Sequence, residues 1–452
     1  MKPYELVTCR GVTFAYHQAL GRFIRLTPAA AVLLAGGTAE DPALRREADR
    51  LRANGFFDDV PGAWADDAAF EAALAARDAE PSDKVELSLA ETCNLACRYC
   101  YCGTCRGKVD SHGLMPPETA VEAVERLFAA TDGDVAITFF GGEPLLDKPA
   151  VRAAMDRAEA LAAARGTKVR YVMTTNATLV DDETAETIAS HDFGLMVSMD
   201  GPKALHDAQC PTRDGGGSWE AVAAGCRRLL ARRGALTVRC TMTHPAKDPM
   251  ELVRFFLDFG FTRIVIGRAY NPAFPSAADM TEEDVRRFDE AVVDRVVPWM
   301  LDEIAAGRRP AYDPFDEFEA SLGCGGETVG PLKCGACHGT LTVGADGALY
   351  PCHRFVGMER WKIGTLKNNI VAEKCREFWY NYRHCIESSC SRCWAYRICK
   401  GPCPWEIARQ DGTFAMNGRL CEETKRWIAQ GAWFAAQKER VESKRKAENG
   451  NA

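Results

Sequence analysis

The sequence has 452 residues, of which 47% are hydrophobic and 26% charged, and this indicates a globular protein of about two to four domains. Its formal net charge of -7 provides no general cationic field, so we expect neither nucleic acid nor a membrane as a partner. No segment approaches the roughly 20 apolar residues of a membrane span, and the first residues lack the apolar run of a secretory signal. We therefore predict a cytoplasmic protein.

The first part of the chain predicts a small α+β domain over residues 1–82. Two strand-like runs, at 4–9 and 11–16, precede apolar helical stretches at 28–35 and 44–53. The acidic, alanine-rich stretch that follows ends in Glu80-Pro81-Ser82-Asp83, which is typical of a linker. Two roles stay open for this domain: holding a peptide leader by strand addition at a sheet edge, or capping the next domain.

Residues 83–280 alternate short β-rich runs with longer amphipathic segments. The predicted strands are 85–92, 135–140, 170–175, 195–200, 237–243 and 263–270. The predicted helices between them are 117–130, 149–165, 181–190, 218–233 and 249–259. Such alternation builds a parallel sheet with its working loops at the carboxyl ends of the strands. Six units are too few for a closed eight-stranded barrel, so we predict an α/β fold with a partial (β/α)6 TIM-like barrel.

Beyond residue 280 the sequence predicts three further regions. They are a helical connector over 281–323, an irregular Cys/Gly-rich domain over 324–425, and a Lys/Glu-rich helix with its tail over 426–452. Hydrophobic periodicity is weak in the Cys/Gly-rich domain, which favours a region organised by metal rather than by a large apolar core.

The 20 cysteines are clustered along the chain. Five lie between Cys93 and Cys105, and eleven lie between Cys324 and Cys421. Because the reducing cytosol disfavours disulfides, cysteines at this density indicate metal binding or redox chemistry.

The first predicted barrel strand leads directly into Cys93-Asn94-Leu95-Ala96-Cys97-Arg98-Tyr99-Cys100. Three thiolates at this C-x3-C-x2-C spacing can bind three corners of an iron–sulfur cube and leave the fourth iron open. An amine and a carboxylate of a small molecule could chelate that iron. The alternative from these residues is a zinc site completed by Cys102 or Cys105.

With Tyr99 in the aromatic position, this motif resembles the signature of the radical S-adenosylmethionine superfamily, C-x3-C-x-aromatic-C. The resemblance implies that Cys93, Cys97 and Cys100 hold a [4Fe–4S] cluster whose open iron binds S-adenosylmethionine. It further implies one-electron cleavage of that molecule to a 5′-deoxyadenosyl radical, which abstracts a hydrogen from the substrate.

Loops after the next three predicted strands resemble further motifs of the same family. They are Gly141-Gly142-Glu143-Pro144, like the GGEP motif that contacts the methionine amino group; Asn176 in a TNG-type turn; and Ser198 in an S-x-D-G-P motif. The glycines would let the backbone approach closely, and Glu143 can accept from an ammonium. By a looser match, Arg213 stands where related enzymes place an arginine on the carboxylate. With Tyr99, these residues are the predicted cofactor site.

The second cysteine region, residues 324–421, resembles the SPASM domain. Cys337-x9-Gly347-x4-Cys352 and Cys390-x2-Cys393-x5-Cys399-x3-Cys403, followed by Cys421, match its spacing. The resemblance implies two auxiliary [4Fe–4S] clusters, and hence three clusters in all. The implied ligands are Cys334, Cys337, Cys352 and Cys403 for one auxiliary cluster, and Cys390, Cys393, Cys399 and Cys421 for the other. Cys324 is an alternative upstream ligand for the first of these.

Several further residues stand outside these motifs. We expect Cys102, Cys105, Cys375 and Cys385 to be idle thiols. His338 and His353 each follow a predicted ligand, and we expect them to donate hydrogen bonds to sulfur. No catalytic base can be assigned.

The segment 341–364 resembles maturases that install thioether links in peptides, such as those of cysteine-rich peptides and of quinohaemoprotein amine dehydrogenase. We therefore predict a ribosomally made precursor peptide or protein subunit as the substrate, and an intrapeptide cysteine thioether as the product. Reduced flavodoxin or ferredoxin is the predicted electron donor. Three alternatives stay open: another SPASM-type modification, such as a carbon–carbon cross-link or formylglycine in a sulfatase; an iron–sulfur electron carrier; and a zinc-binding interaction module.

Overall fold

The structure is a computed structural model that describes residues 4–18, 21–35, 42–53, 56, 64–79, 82–103, 107–322, 332 and 334–449. The N-terminal region contains an antiparallel sheet of three strands in the order β1-β2-β3. Its elements are β1 (Tyr4–Cys9), β2 (Val12–His17), β3 (Arg22–Arg25), α1 (Pro28–Leu34), α2 (Pro42–Ala53) and α3 (Asp67–Ala79). Strand β3 and helix α3 were not predicted, and α3 lies within the stretch whose end was read as a linker.

A sheet with six adjacent parallel strands forms the centre of the molecule. The strands are β4 (Lys84–Ala90), β5 (Val135–Gly141), β6 (Val169–Thr175), β7 (Phe193–Ser198), β8 (Thr237–Met242) and β9 (Arg263–Arg268). The helices between them are α4 (Pro117–Ala130), α5 (Lys148–Arg165), α6 (Asp182–Ser190), α7 (Lys203–Gln209), α8 (Trp219–Arg233) and α9 (Pro249–Phe259). The predicted α/β class is confirmed, although the short helix α7 was missed.

Side chains alternate between the two faces of the central sheet along each strand. In β5, Val135, Ile137 and Phe139 are buried, whereas Thr138 and Phe140 are only partly covered and lie on the opposite face. Helix α4 presents a stripe of buried residues, including Val124 and Leu127, as expected for a helix that packs on a sheet. One sheet face is thus covered by helices, while the other is left to line a cavity.

The connector after β9 is not one continuous helix. It contains α10 (Glu282–Ala291), a π-helical turn (Val292–Val296), α11 (Val297–Ala305) and α12 (Asp316–Ser321). Pro310 and Pro314 lie in the gap between α11 and α12, where a proline cannot continue a helix. The predicted helical connector is therefore interrupted.

The Cys/Gly-rich region extends the central sheet. Strand β10 (Leu341–Val343) pairs in parallel with β4, and three more strands follow it in the sheet: β11 (Ala348–Tyr350), β12 (Gly364–Thr365) and β13 (Asn369–Ile370). The helices here are α13 (Ala372–Cys390), α14 (Tyr396–Cys399), α15 (Pro404–Ile407) and α16 (Gly418–Asn449). The domain boundary predicted at residue 324 stays a prediction.

This region also has a substantial apolar core, contrary to expectation. Its buried aromatic side chains are Phe355, Trp361, Phe378, Trp379, Tyr382 and Trp405. The rings of Phe355 and Trp361 are 4.8 Å apart, and those of Phe355 and Trp405 are 5.3 Å apart. The expectation that this region lacks a large apolar core is wrong, because irregular spacing in sequence hid aromatics that meet in space. The part of metal in organising the region stays a prediction.

In the part of the chain that the structure describes, every helix is too short or too polar to cross a membrane.

Candidate functional site

A cavity of about 400 Å³ opens at the carboxyl ends of the central parallel strands. Most of the predicted residues of the first site line it: Cys93, Cys97, Tyr99, Cys100, Gly141, Gly142, Asn176 and Ser198. Glu143, Pro144 and Arg213 are not among the lining residues. A larger cavity, of about 620 Å³, lies beside β9 and α10, but no cysteine lines it. The chemistry of the side chains therefore favours the smaller cavity.

The loop after β4 brings the Cys93, Cys97 and Cys100 thiols to one wall of this cavity. Cys93 Sγ accepts hydrogen bonds from the backbone N–H of Leu95, at 3.4 Å, and from Asn176 Nδ2, at 3.7 Å. Burial raises the pKa of Cys93 to about 12, so its thiolate needs a positive partner to be stable. Iron supplies that charge, and the three thiols therefore fit an iron–sulfur cluster.

The three thiols do not meet at a point. In the described ranges no three His, Cys, Asp or Glu side chains converge closely enough to hold a single metal ion. A cubane keeps its ligand sulfurs further apart than one zinc ion does, because each sulfur binds a different iron. The spread of the thiols is compatible with a cluster.

Asn176 is the centre of a side-chain network that fixes the cysteine loop. Its Nδ2 donates to Asn94 Oδ1 at 2.9 Å, and its Oδ1 accepts from the Thr178 hydroxyl at 2.6 Å. Asn94 Oδ1 in turn lies 3.8 Å from Cys93 Sγ. The network orients Cys93 without contributing a ligand of its own, which is a common function of residues around metal ligands.

Glu143 lies beneath the cavity lining, is only 1% exposed, and holds two loops of the site together. Its carboxylate accepts from the Leu145 N–H at 3.0 Å, the Thr175 hydroxyl at 2.7 Å and the Asn176 N–H at 2.7 Å. Burial raises the pKa of Glu143 to about 7 despite these donors. These bonds tie the Gly-Gly loop to the asparagine turn, and one of about four acceptor directions is left for an ammonium. Its contact with the methionine amino group stays a prediction.

The other two residues outside the cavity wall have identifiable contacts. Arg213 donates through Nε to the Cys93 carbonyl, and through Nη2 to the Thr92 hydroxyl at 3.1 Å. Pro144 is buried and begins a short 3-10 helix, Pro144–Asp147, directly after the glycines. The structure places Arg213 against the backbone of the cysteine loop, and its predicted contact with a carboxylate stays a prediction.

Comparison with known proteins decides what kind of domain this is. The model of the radical SAM superfamily matches residues 87–266, which contain the cysteine loop and nearly all of the parallel strands. This chain contains a radical SAM domain. Such a domain binds S-adenosylmethionine at a [4Fe–4S] cluster, and the chain is a radical SAM enzyme.

The relatives of this radical SAM enzyme include proteins that modify other proteins. The cysteine-type anaerobic sulfatase-maturating enzyme of Clostridium perfringens (strain 13 / Type A) is 24% identical over 323 residues, which cover 69% of this chain and 85% of the relative. The solved structure of native anSMEcpe with bound AdoMet has a TM-score of 0.65 at 21% identity, covering 79% of this chain and 99% of its own. Streptococcus suis SuiB, solved with its precursor peptide SuiA, has a TM-score of 0.50 at 14% identity, covering 92% and 99%. These two structural likenesses show a shared fold.

Outside the radical SAM domain, the structure assembles the cysteines of the first auxiliary set. Cys337 lies close to Cys334 and Cys352, and Cys352 lies close to Cys334 and Cys403. Burial raises the pKa of both Cys337 and Cys352, so both thiolates need a metal or a cation to be stable. The alternative ligand, Cys324, lies outside the described residues.

The second auxiliary set also comes together. Cys421, near the start of α16, lies close to Cys393 and Cys399. Cys390 and Cys399 both lie next to the Tyr396 ring, and burial raises the pKa of that phenol. These contacts are compatible with the two sets predicted from spacing, and both the sets and their role as cluster ligands stay a prediction.

Several residues outside the motifs have contacts or positions other than those expected. Cys375, expected to be idle, is buried and its Sγ lies 4.0 Å from the Cys337 carbonyl. His353 contacts the Glu86 carboxylate through Nδ1 at 3.0 Å instead of a sulfur, and His338 contacts Asp78 at 3.2 Å. Cys102, also expected to be idle, lines the cavity, whereas Cys105 lies outside the described residues.

The lining also includes Arg239, Arg268 and Arg354, which the motifs do not mark. The sequence carried one signal for Arg239, since a charged residue between the buried Val238 and Cys240 must lie on the open face of β8.

The close approach of the Gly-Gly loop to β4 gives a testable prediction. Gly141 has a φ of 133°, and a Cβ there would lie 2.5 Å from the Ala90 carbonyl oxygen. We expect Gly141→Ala to destabilise the protein by more than about 2 kcal/mol and to weaken S-adenosylmethionine binding, because backbone must move to make room. The matched control is Gly166→Ala, which also has a positive φ, 70°, but would meet nothing within 4 Å. Thermal melting measures the stability that each variant loses. Equal losses in the two variants would contradict the close-packing explanation.

Proposed function

We propose that this radical SAM enzyme is a maturase that installs an intrapeptide cysteine thioether in a ribosomally made peptide or protein subunit. One observation carries the proposal: the three thiols and the residues of the cofactor motifs line the same cavity. These residues are Cys93, Cys97, Cys100, Gly141, Gly142, Asn176 and Ser198. When bound, the cluster and S-adenosylmethionine supply an electron and a 5′-deoxyadenosyl radical that removes a hydrogen from the substrate.

The chain's own residues hold and shield that chemistry. Cys93, Cys97 and Cys100 are the proposed ligands, and Asn176 with Asn94 fixes the orientation of Cys93. Gly141 and Gly142 let the backbone approach the cofactor closely, and Ser198 lies where a polar group of the cofactor can be bound. Tyr99 is half-buried in the loop, with its hydroxyl 3.2 Å from Cys210 Sγ, and helps to exclude water from the reaction.

Two auxiliary [4Fe–4S] clusters complete the proposed enzyme, for a total of three. Cys352 belongs to the first proposed ligand set. The next two residues, His353 and Arg354, line the cavity that also contains Cys93, Cys97 and Cys100. The first auxiliary group therefore adjoins the space in which a substrate would react. This proximity supports a direct role for that cluster, either in binding the substrate sulfur or in accepting the surplus electron.

The N-terminal sheet supports a peptide substrate. Among the residues that the structure describes, strand β3 pairs only with β2, and it is therefore an edge at which a leader peptide could add a strand. The sheet packs against the second half of the molecule, since the Tyr16 and Trp394 rings are 6.0 Å apart and the Phe23 and Phe318 rings 5.7 Å apart. A peptide bound there would be held on a part of the protein that packs against the rest of the molecule.

We propose reduced flavodoxin or ferredoxin as the electron donor.

Formylglycine formation in a sulfatase is the second candidate, because cysteine-type and serine-type sulfatase-maturating enzymes are among the relatives. The deciding experiment incubates the anaerobically reconstituted enzyme with S-adenosylmethionine, dithionite and candidate cysteine-containing peptides. We expect 5′-deoxyadenosine and a peptide that has lost two hydrogens with its sulfur retained. A peptide whose cysteine has lost its sulfur and become an aldehyde would support the sulfatase alternative. No 5′-deoxyadenosine under any condition would refute both and favour an electron carrier.

A further inference from the structure

The cavity wall has an unbalanced charge. Three arginines line it, Arg239, Arg268 and Arg354, whereas no Asp or Glu is among the lining residues. Arg268 is engaged elsewhere, since it forms an ion pair with Glu423, a carboxylate that is 4% exposed. Arg239 and Arg354 have no hydrogen-bond or ion-pair acceptor in the described part of the chain. Both guanidinium groups are therefore available to a ligand in the cavity.

The two arginines come from different parts of the molecule. Arg239 lies on the open face of β8, and Arg354 follows Cys352 by two residues. The Arg354 guanidinium lies over the Tyr101 ring, 4.9 Å from its centroid, and this contact limits where its planar fork can point. A ligand that touched both arginines would lie between the barrel and the auxiliary-cluster region.

The charge of Arg354 acts on Arg239, so the two guanidinium groups lie near each other. Burial and the charge of Arg354 both lower the pKa of Arg239. Asp200, a buried carboxylate on which the charge of Arg239 acts, is committed to other donors, because it accepts from the Thr241 N–H at 2.9 Å and from the Cys210 thiol at 3.4 Å. An anion placed between Arg239 and Arg354 would relieve their repulsion and form charge-assisted hydrogen bonds.

We propose that Arg239 and Arg354 bind a carboxylate of the substrate, an Asp or Glu side chain or a free C-terminus close to the reacting residue. This inference rests on the proposed function, since it names the chemical class of the peptide that the maturase takes. A planar, two-oxygen carboxylate matches the forked guanidinium donors. The methionine carboxylate of S-adenosylmethionine has the same chemistry, so the experiment must separate the two sources.

The test uses the cluster-loaded enzyme and a displayed library of random peptides that share one fixed cysteine. Wild-type enzyme with S-adenosylmethionine should enrich peptides with an acidic residue at a fixed distance from the cysteine. Replacing that acid by its amide in a selected peptide should weaken binding about ten- to a hundredfold, the range expected for a charge-assisted contact. Arg239→Gln and Arg354→Gln should lose this preference. Arg263→Gln, at an exposed arginine of β9, is the matched control and should keep it.

A second arm measures the affinity for S-adenosylmethionine and for its decarboxylated analogue. If the pair binds the substrate, Arg239→Gln and Arg354→Gln leave the ratio of these two affinities unchanged. A ratio that collapses in both variants would assign the pair to the methionine carboxylate and overturn the proposal. Selection without acidic enrichment, or enrichment that persists in both variants, would also overturn it. Absence of 5′-deoxyadenosine with intact acidic preference would instead refute the maturase function and leave the carboxylate site standing.

Discussion

Cys97→Ala should reduce 5′-deoxyadenosine formation to the level of a cluster-free preparation. With only Cys93 and Cys100 left of the three proposed ligands, the first cluster loses one of its three anchors, and the open coordination site for S-adenosylmethionine is lost with it. The proposed auxiliary ligands are other cysteines, so the iron of those clusters should stay. Iron analysis should therefore show a loss of about one third, if the chain holds three equal clusters.

The matched control is Cys226→Ala, which removes a buried thiol of α8 that belongs to no proposed ligand set. That variant should keep its full iron content and its cleavage of S-adenosylmethionine, with a small loss of stability from the missing sulfur. Normal 5′-deoxyadenosine formation by Cys97→Ala would show that another group holds the cluster, and Cys102, which lines the same cavity, would be the first candidate.

Cys399→Ala should separate cofactor cleavage from product formation. Cys399 lies close to Cys421 and next to Tyr396, within the second auxiliary group and outside the cavity lining. Its removal should cost the iron of that group and abolish modified peptide, while 5′-deoxyadenosine is still made without coupling to product. The measurement is the molar ratio of modified peptide to 5′-deoxyadenosine.

Cys385→Ala is the control for this second variant, because Cys385 is a half-buried cysteine on the neighbouring helix α13 that belongs to neither set. Its ratio of product to 5′-deoxyadenosine should match that of the wild type. An unchanged ratio and iron content in Cys399→Ala would remove Cys399 from the proposed ligands and leave the second auxiliary cluster without support.

Much of the central fold could be predicted because parallel strands and their helices carry local signals. Strands β4 to β9 were found within about two residues at each end, since each is an apolar run bounded by polar loops. Helix α3 was missed because its stretch reads as acidic and alanine-rich, although Phe70 and Leu74, one turn apart, are 0% and 1% exposed. The parallel pairing of β10 with β4 was missed for a different reason. A three-residue strand has almost no local signal, and its partner lies about 250 residues away in sequence.

The candidate site divides in the same way. Cys93, Cys97, Gly141, Asn176 and Ser198 stand in short motifs whose residues are close in sequence, so spacing alone could predict them. The roles of other residues depend on contacts that only the folded chain makes. Glu143 accepts one hydrogen bond from its own loop after β5 and two from the end of β6. Arg239 and Arg354 are 115 residues apart in number and meet at one cavity, which no local pattern could show.

The central claim is that Cys93, Cys97 and Cys100 hold a cluster with an open iron that binds S-adenosylmethionine. Its most direct test is electron paramagnetic resonance of the reduced, anaerobically reconstituted enzyme with and without S-adenosylmethionine, recorded in parallel on Cys97→Ala. The account predicts that S-adenosylmethionine shifts the signal of the wild type and leaves the spectrum of Cys97→Ala unchanged. A wild-type spectrum that does not respond, or a response that persists in Cys97→Ala, would contradict it.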